Sequence, residues 1–199
     1  MKIFDWPLEG TMGENKPYIK AYLLDRMPME QELLPAVLIC PGGGYTHLSP
    51  REAEPIALAF AAKGYQTFIL HYSILPRQYP QPMLDAAKAL KTIREYGAQW
   101  HVDGKRIAMC GFSAGSHLTA VMSTLADSPI LREAGYEEEM VRPNAAILCY
   151  GVASVLYMSP EDEERLSQGW LGDAEGNLEL QKVLRLNENV TAKNPPTFL

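Results

Sequence analysis

Gly111-Phe112-Ser113-Ala114-Gly115 narrows the architectures open to this chain more than any other segment. Small residues around a serine at this spacing suit a sharp strand-to-helix turn, which larger side chains would block. The flanking sequence agrees. Arg106-Ile-Ala-Met-Cys110 reads as a short buried strand, and Leu118, Val121, Met122 and Leu125 recur at helical spacing after the turn. Such a turn holds the serine oxygen clear of a sheet, at a helix N-terminus whose N–H groups face a reacting atom. Ser113 is therefore the candidate nucleophile. The competing reading is a glycine-rich structural turn.

An absence weighs against a complete site. A serine nucleophile needs a histidine base and an acid to orient it, and around this kind of turn the order is Ser, then Asp or Glu, then His. The chain has four histidines, His47, His71, His101 and His117. Only His117 follows Ser113, four residues on, with no acid between them. It reads as a packed structural histidine.

The rest of the sequence alternates strands and helices. Strands are expected at 18–24, 36–40, 66–72, 106–110 and 143–150, the first antiparallel. Helices are expected from about Ser49-Pro50 to Lys63, with a serine cap and Gly64 as its stop, and over 83–96, with Asp85 near its start. Val102-Asp-Gly104 reads as a turn into the 106–110 strand. This order implies one α/β domain, a mostly parallel sheet with helices on both faces, with the active site beyond the carboxyl ends of the strands. Cys40, Cys110 and Cys149 should sit at similar height near that edge, as small core residues rather than metal ligands. Residues 152–194, acidic at Glu161-Asp-Glu-Glu164, read as a partial cap or an ordinary solvated connection. Asp162 and Asp173 are its only candidate acids, and both are discounted.

Pro41-Gly42-Gly43-Gly44-Tyr45 follows the 36–40 strand. Bare glycine backbone lets N–H groups approach a ligand closely, which suits an oxyanion hole. A phosphate loop is the rival reading, but the Lys-Ser/Thr spacing and the G-x-G-x-x-G pattern are missing. Tyr45 and His47 on this loop, and His71 at the end of the 66–72 strand, are candidate pocket-lining residues. Nothing in the sequence calls for a metal or cofactor. The net charge of −6 argues against nucleic acid or an anionic membrane as a partner. The acidic, Trp-Pro-bearing N-terminus is unlike an export signal, and an odd number of apolar thiols suits a reducing cytoplasm.

Cys40-Pro-Gly-Gly-Gly-Tyr45, Ser49-Pro-Arg-Glu-Ala-Glu-Pro55, His71-Tyr-Ser-Ile74, Tyr79-Pro-Gln-Pro-Met-Leu-Asp85 and Gly111-Phe-Ser-Ala-Gly-Ser-His-Leu118 together resemble the α/β-hydrolase esterases. Within that fold they are similar to the esterase/lipase branch of carbohydrate acetyl esterases (acetyl-xylan-esterase-like), near the hormone-sensitive-lipase group. The resemblance implies Ser113 as nucleophile and the N–H groups of Gly43, Gly44 and Ala114 as the oxyanion hole. It also implies that Pro195-Pro-Thr-Phe-Leu199 opens a strand, and that the triad Asp and His lie beyond Leu199. The expected activity is hydrolysis of small acyl esters, with O-acetylated sugars among the candidates. A serine peptidase or amidase, a non-catalytic scaffold and an inactive fragment are the alternatives, and a homo-oligomer stays open.

Overall fold

A computed structural model describes residues 1–9, 16–26, 32–152 and 182–199. Strand β1 (Lys2–Pro7) pairs antiparallel with β2 (Tyr18–Leu23), and β2 pairs antiparallel with β4 (Gln66–His71). From there every pairing is parallel: β4 to β3 (Leu34–Cys40), β3 to β5 (Val102–Phe112), β5 to β6 (Ala145–Cys149), and β6 to β7 (Thr197–Phe198). The strand order is β1-β2-β4-β3-β5-β6-β7. The four expected central strands are thus adjacent and parallel.

The central strands are apolar at nearly every position because both faces are covered. On one face Val37, Ile39 and Ile69 pack with Ala57 of helix α1 (Glu54–Ala61). On the other, Leu38, Phe68, Ile107 and Met109 meet Met83, Ala86 and Leu90 of α2 (Gln81–Glu95) and Leu118 and Val121 of α3 (Ala114–Thr124). Two short helices, α4 (Pro129–Glu133) and α5 (Glu138–Val141), connect α3 to β6. None of the described helices is long and apolar enough to cross a membrane.

Three details differ from the sequence expectation. The helix expected over 49–63 is a 3-10 turn at Pro50–Glu52 and then α1, separated by Ala53 at φ −109°, ψ −102°. Pro55 explains the break: in a helix interior it would lose a hydrogen bond and clash with the preceding turn, whereas it is tolerated in the first turn of α1. Ser49 makes no side-chain cap. The α1 stop is as expected, with Tyr65 N–H on Phe60 and Gly64 N–H on Ala61 in a Schellman arrangement. Second, 102–104 does not break β5. Val102 pairs with Leu34, and the irregularity is a register shift between Leu34 and Ala36. Third, β1 was not expected. The cap proposed for 152–194 falls mostly outside the described residues, as do Asp162 and Asp173.

Candidate active site

Parallel β3, β5 and β6 end at one edge, and the site is built from the three loops that leave them. Cys40 sits opposite Gly111, and Cys149 opposite Phe112. The three thiols therefore lie close to that edge, none in a disulfide. Burial pushes the Cys40 thiol well up and that of Cys110 up to about 12, so neither is a ready nucleophile.

Ser113 stands between β5 and α3 at φ 49°, ψ −116°. A non-glycine residue there is strained, and the surroundings enforce it. Its N–H donates to the Cys149 carbonyl at 3.0 Å, and its carbonyl accepts from His117 N–H at 3.0 Å, opening α3. Its side chain is not spent on capping that helix. The two glycines of the motif are required by close approach. A Cβ on Gly111 would meet Thr119 Oγ1 at 2.5 Å, and one on Gly115 would meet the Cys40 carbonyl carbon and the Pro41 oxygen at 2.6 Å. Helix α3 is thereby pressed onto the ends of β3 and β5. The first N–H groups of α3 lack intrahelical acceptors and add positive field beside Ser113.

The glycine loop closes against the same turn. Gly42 carbonyl accepts from Ser49 N–H at 2.9 Å, and Gly42 N–H donates to Glu52 Oε2 at 2.7 Å. A Cβ on Gly42 would lie 3.0 Å from Ser113 Cβ, so bare backbone faces the serine. Gly43 adopts φ 136° and Gly44 φ 60°. The Gly43 carbonyl accepts from Thr46 and His47 N–H, which curls the loop. Gly42 N–H is occupied, whereas the Gly43, Gly44 and Ala114 N–H groups have no acceptor among the described residues. That distinction separates the amides named for an oxyanion hole from the one that is not.

The remaining candidates divide. Tyr45 is buried, and its hydroxyl meets His117 Nδ1 at 2.9 Å. His117 Nε2 lies 2.9 Å from the Val183 carbonyl. A carbonyl only accepts, so Nε2 carries the proton and Nδ1 accepts from Tyr45. Burial holds this imidazole down to about 4. It is a neutral, packed histidine, as expected from its place on α3. His47 is exposed beside Thr46. His71 stacks on Tyr18 with ring centroids 4.1 Å apart, and burial lowers it to about 4. The structure thus gathers Ser113, Gly43, Gly44, Ala114 and Tyr45 around one edge, with His47 on the outer rim of the loop and His71 against β2. Asp85 lies one turn into α2, accepting from Ser73 N–H and Gln81 Nε2 at 2.8 Å each, and anchors the loop between β4 and α2. A cleft of about 240 Å³ opens between α3 and the loop after β6, walled by Ser116, His117, Leu148, Tyr150, Val152 and Leu199. Among the described residues no cluster of three or more His, Cys, Asp or Glu side chains could hold a metal ion.

Sequence reasoning missed Glu52 and Tyr150. Glu52 Oε1 accepts from the Tyr150 hydroxyl at 2.6 Å, and Tyr150 is held at φ 42°. This hydrogen bond pushes the phenol up to about 12.

The BD-FAE family profile matches residues 25–199. The chain is 29% identical over 167 residues to endo-1,4-beta-xylanase B of Butyrivibrio fibrisolvens, a match covering 82% of this chain and 26% of that protein. It is 32% identical over 136 residues to the acetylxylan esterase of Xylanibacter ruminicola, covering 68% of this chain and 25% of the relative. It spans about a quarter of the length of both. Among solved structures, the acetyl ester-xyloside bifunctional hydrolase from Caldicellulosiruptor lactoaceticus superposes with a TM-score of 0.80 at 30% identity, covering 98% of this chain and 73% of that one.

Proposed function

The chain belongs to the BD-FAE family, and on that footing we propose that it acts as a serine hydrolase of small acyl esters. Ser113 Oγ would attack the ester carbonyl. The N–H groups of Gly43, Gly44 and Ala114 would hold the oxyanion, and the alcohol would leave to give an acyl-enzyme on Ser113. Water then releases the acid and restores the serine. Acetyl groups on a carbohydrate are the proposed substrate class, supported by similarity to an acetylxylan esterase and to an acetyl ester-xyloside hydrolase. A cytoplasmic setting is proposed as well, supported by three thiols that form no disulfide.

The observation that carries this reading is the strained backbone of Ser113, packed against a glycine loop with two amides that have no acceptor among the described residues. Strain of this kind is kept where it positions chemistry. His117 is set aside as the base, because its two ring nitrogens are engaged by Tyr45 and Val183.

A second reading, a non-catalytic hydrolase-like scaffold, is favoured by the same commitment of His117. One experiment separates them. The full product of the gene carrying this sequence is treated with a fluorophosphonate probe and assayed on 4-nitrophenyl acetate. Labelling at Ser113, with turnover lost roughly a million-fold in Ser113→Ala, supports the esterase. An unlabelled, inactive protein supports the scaffold.

A further inference from the structure

Glu52 is more engaged than a residue in a surface 3-10 turn needs to be. One carboxylate oxygen takes Gly42 N–H at 2.7 Å, and the other takes the Tyr150 hydroxyl at 2.6 Å. The two partners belong to different loops, one leaving β3 and one leaving β6. Ser113 lies between them. Gly42 turns its bare face to the nucleophile turn and leaves no room for a Cβ, which would lie 2.7 Å from the Phe112 carbonyl oxygen and 3.0 Å from Ser113 Cβ. On the other side, Ser113 N–H donates to Cys149, the residue before Tyr150. The ring of Tyr150 lies 6.0 Å from that of Phe112, the residue before Ser113.

Tyr150 repeats the signature of Ser113. It is a non-glycine residue at φ 42°, and it is 68% exposed, so no core packing forces that backbone. Among the described residues, the Glu52 carboxylate is the polar group that holds the side chain in place. An off-region conformation that persists at an exposed position needs a restraint, and such restraints concentrate at functional sites.

We propose that Glu52 is a positioning residue for the proposed esterase reaction: its carboxylate ties the glycine loop to Tyr150 across Ser113, fixing Gly43 and Gly44 relative to the nucleophile. Gly42 is the lever. With its carbonyl held by Ser49 and its N–H held by Glu52, the next two amides cannot swing away from the serine. Glu52 need not touch substrate. The carboxylate matters here as a double acceptor, not as a proton donor or as the acid of a triad.

This inference rests on the esterase reading, and the test separates the two. Steady-state kinetics on 4-nitrophenyl acetate and inhibition by a trifluoromethyl ketone are measured in the full gene product and in Ser113→Ala, Glu52→Ala, Glu52→Gln and Tyr150→Phe. Glu52→Ala is expected to lower kcat about 100-fold, the loss typical of misplacing or removing one oxyanion donor. KM should move less than about threefold, while affinity for the ketone falls in parallel with kcat. Glu52→Gln should recover kcat to within about tenfold of wild type. Its amide oxygen can accept from Gly42, and its NH₂ can donate to the Tyr150 oxygen. Tyr150→Phe should fall between the two, and adding it to Glu52→Ala should cost nothing more, as for two members of one unit.

If Ser113→Ala keeps its turnover, the esterase reading falls and the role of Glu52 falls with it. If Ser113→Ala is dead while folded Glu52→Ala keeps wild-type kcat, only the Glu52 proposal falls. Glu52→Gln as inactive as Glu52→Ala also overturns it, because the charge would then be doing chemistry. Should Glu52→Ala fail to fold, Tyr150→Phe decides the matter. It removes one exposed hydroxyl, and an unchanged kcat in that variant overturns the proposal.

Discussion

Replacing Gly115 by alanine sets two effects of opposite sign against each other. In an open helix the change should stabilise by up to about 1 kcal/mol, because alanine is the better helix former. Here the added Cβ would collide with the Cys40 carbonyl oxygen, and it would also lie 2.6 Å from the Cys40 carbonyl carbon and from the Pro41 oxygen, where ordinary contact begins at 3.4 Å. Those atoms are backbone at the end of a central strand, and they cannot rotate away as a flexible side chain can. Relieving even the 2.6 Å contacts needs α3 to withdraw by about 0.8 Å, and the Cys40 oxygen demands more. Overpacking of this kind costs about 1–3 kcal/mol. The clash outweighs the helix gain, so Gly115→Ala should lose roughly 1–2 kcal/mol, equivalent to a Tm lower by about 2–8 °C in a chain of this size. The functional loss should be larger. Ser113 rides on the first turn of α3, and a displacement approaching 1 Å can cost about 100-fold in rate. Calorimetry gives the first quantity. The fluorophosphonate labelling rate of the full gene product, taken well below Tm, gives the second. A higher Tm, or a labelling rate within twofold of wild type, would refute the claim that α3 is seated by this contact.

Three further outcomes are expected. Gly44→Ala meets no atom within 4 Å, but it must hold φ 60° with a side chain, so it should lose about 1 kcal/mol by urea unfolding without any clash. His117 is neutral in the fold with its pKa lowered to about 4, so the unfolded chain binds a proton there between pH 6.5 and 4 and the folded chain does not. That contribution is complete above about pH 6.5 and is lost as pH falls towards 4, at up to about 1.4 kcal/mol per pH unit. Urea midpoints at pH 7 and pH 5 should therefore differ less in His117→Gln than in wild type. Arg94 donates to the carbonyls of Gly104, Met140 and Arg142 and to Asn144 Oδ1, and burial lowers it to about 10. Arg94→Met strands those acceptors and should lower stability by about 2–4 kcal/mol, measured by chemical unfolding.

Much of the fold was written locally. Runs such as Ala36-Val-Leu-Ile-Cys40 are apolar at both parities, and only strands covered on both faces tolerate that. What escaped depended on partners or on a single residue. Strand β1 buries none of its six residues fully, so no periodic stripe marks it. It exists because β2 offers a free edge to pair with. Pro55 overruled a helical pattern that ran across it. At 102–104 the sequence Val-Asp-Gly has turn composition, but Asp103 bonds to Lys105 N–H and to Arg106, and buried Val102 keeps its place beside Leu34.

The candidate site splits along the same line. Ser113 and the glycine loop could be proposed from sequence because the turns they make are backbone features that short motifs encode, while the choice of Gly43 and Gly44 over Gly42 came from the family resemblance. His117 could be set aside for a related reason, since its position on a helix is local even though its partner Tyr45 lies 72 residues away. Glu52 and Tyr150 are separated by 98 residues, and nothing in one sequence pairs them. Their local signals even misled: Pro50-Arg-Glu52 reads as a helix start, and Tyr150 as the last residue of a strand. Yet a nucleophile turn and a glycine loop, each locally well specified, do not fix the distance between them. Two rigid parts leaving different strands of a twisted sheet can keep their own shapes and still drift apart. Holding them in register takes a contact that spans the loops. The Glu52 carboxylate is such a contact, and it reaches from the glycine loop to the end of β6 with Ser113 between.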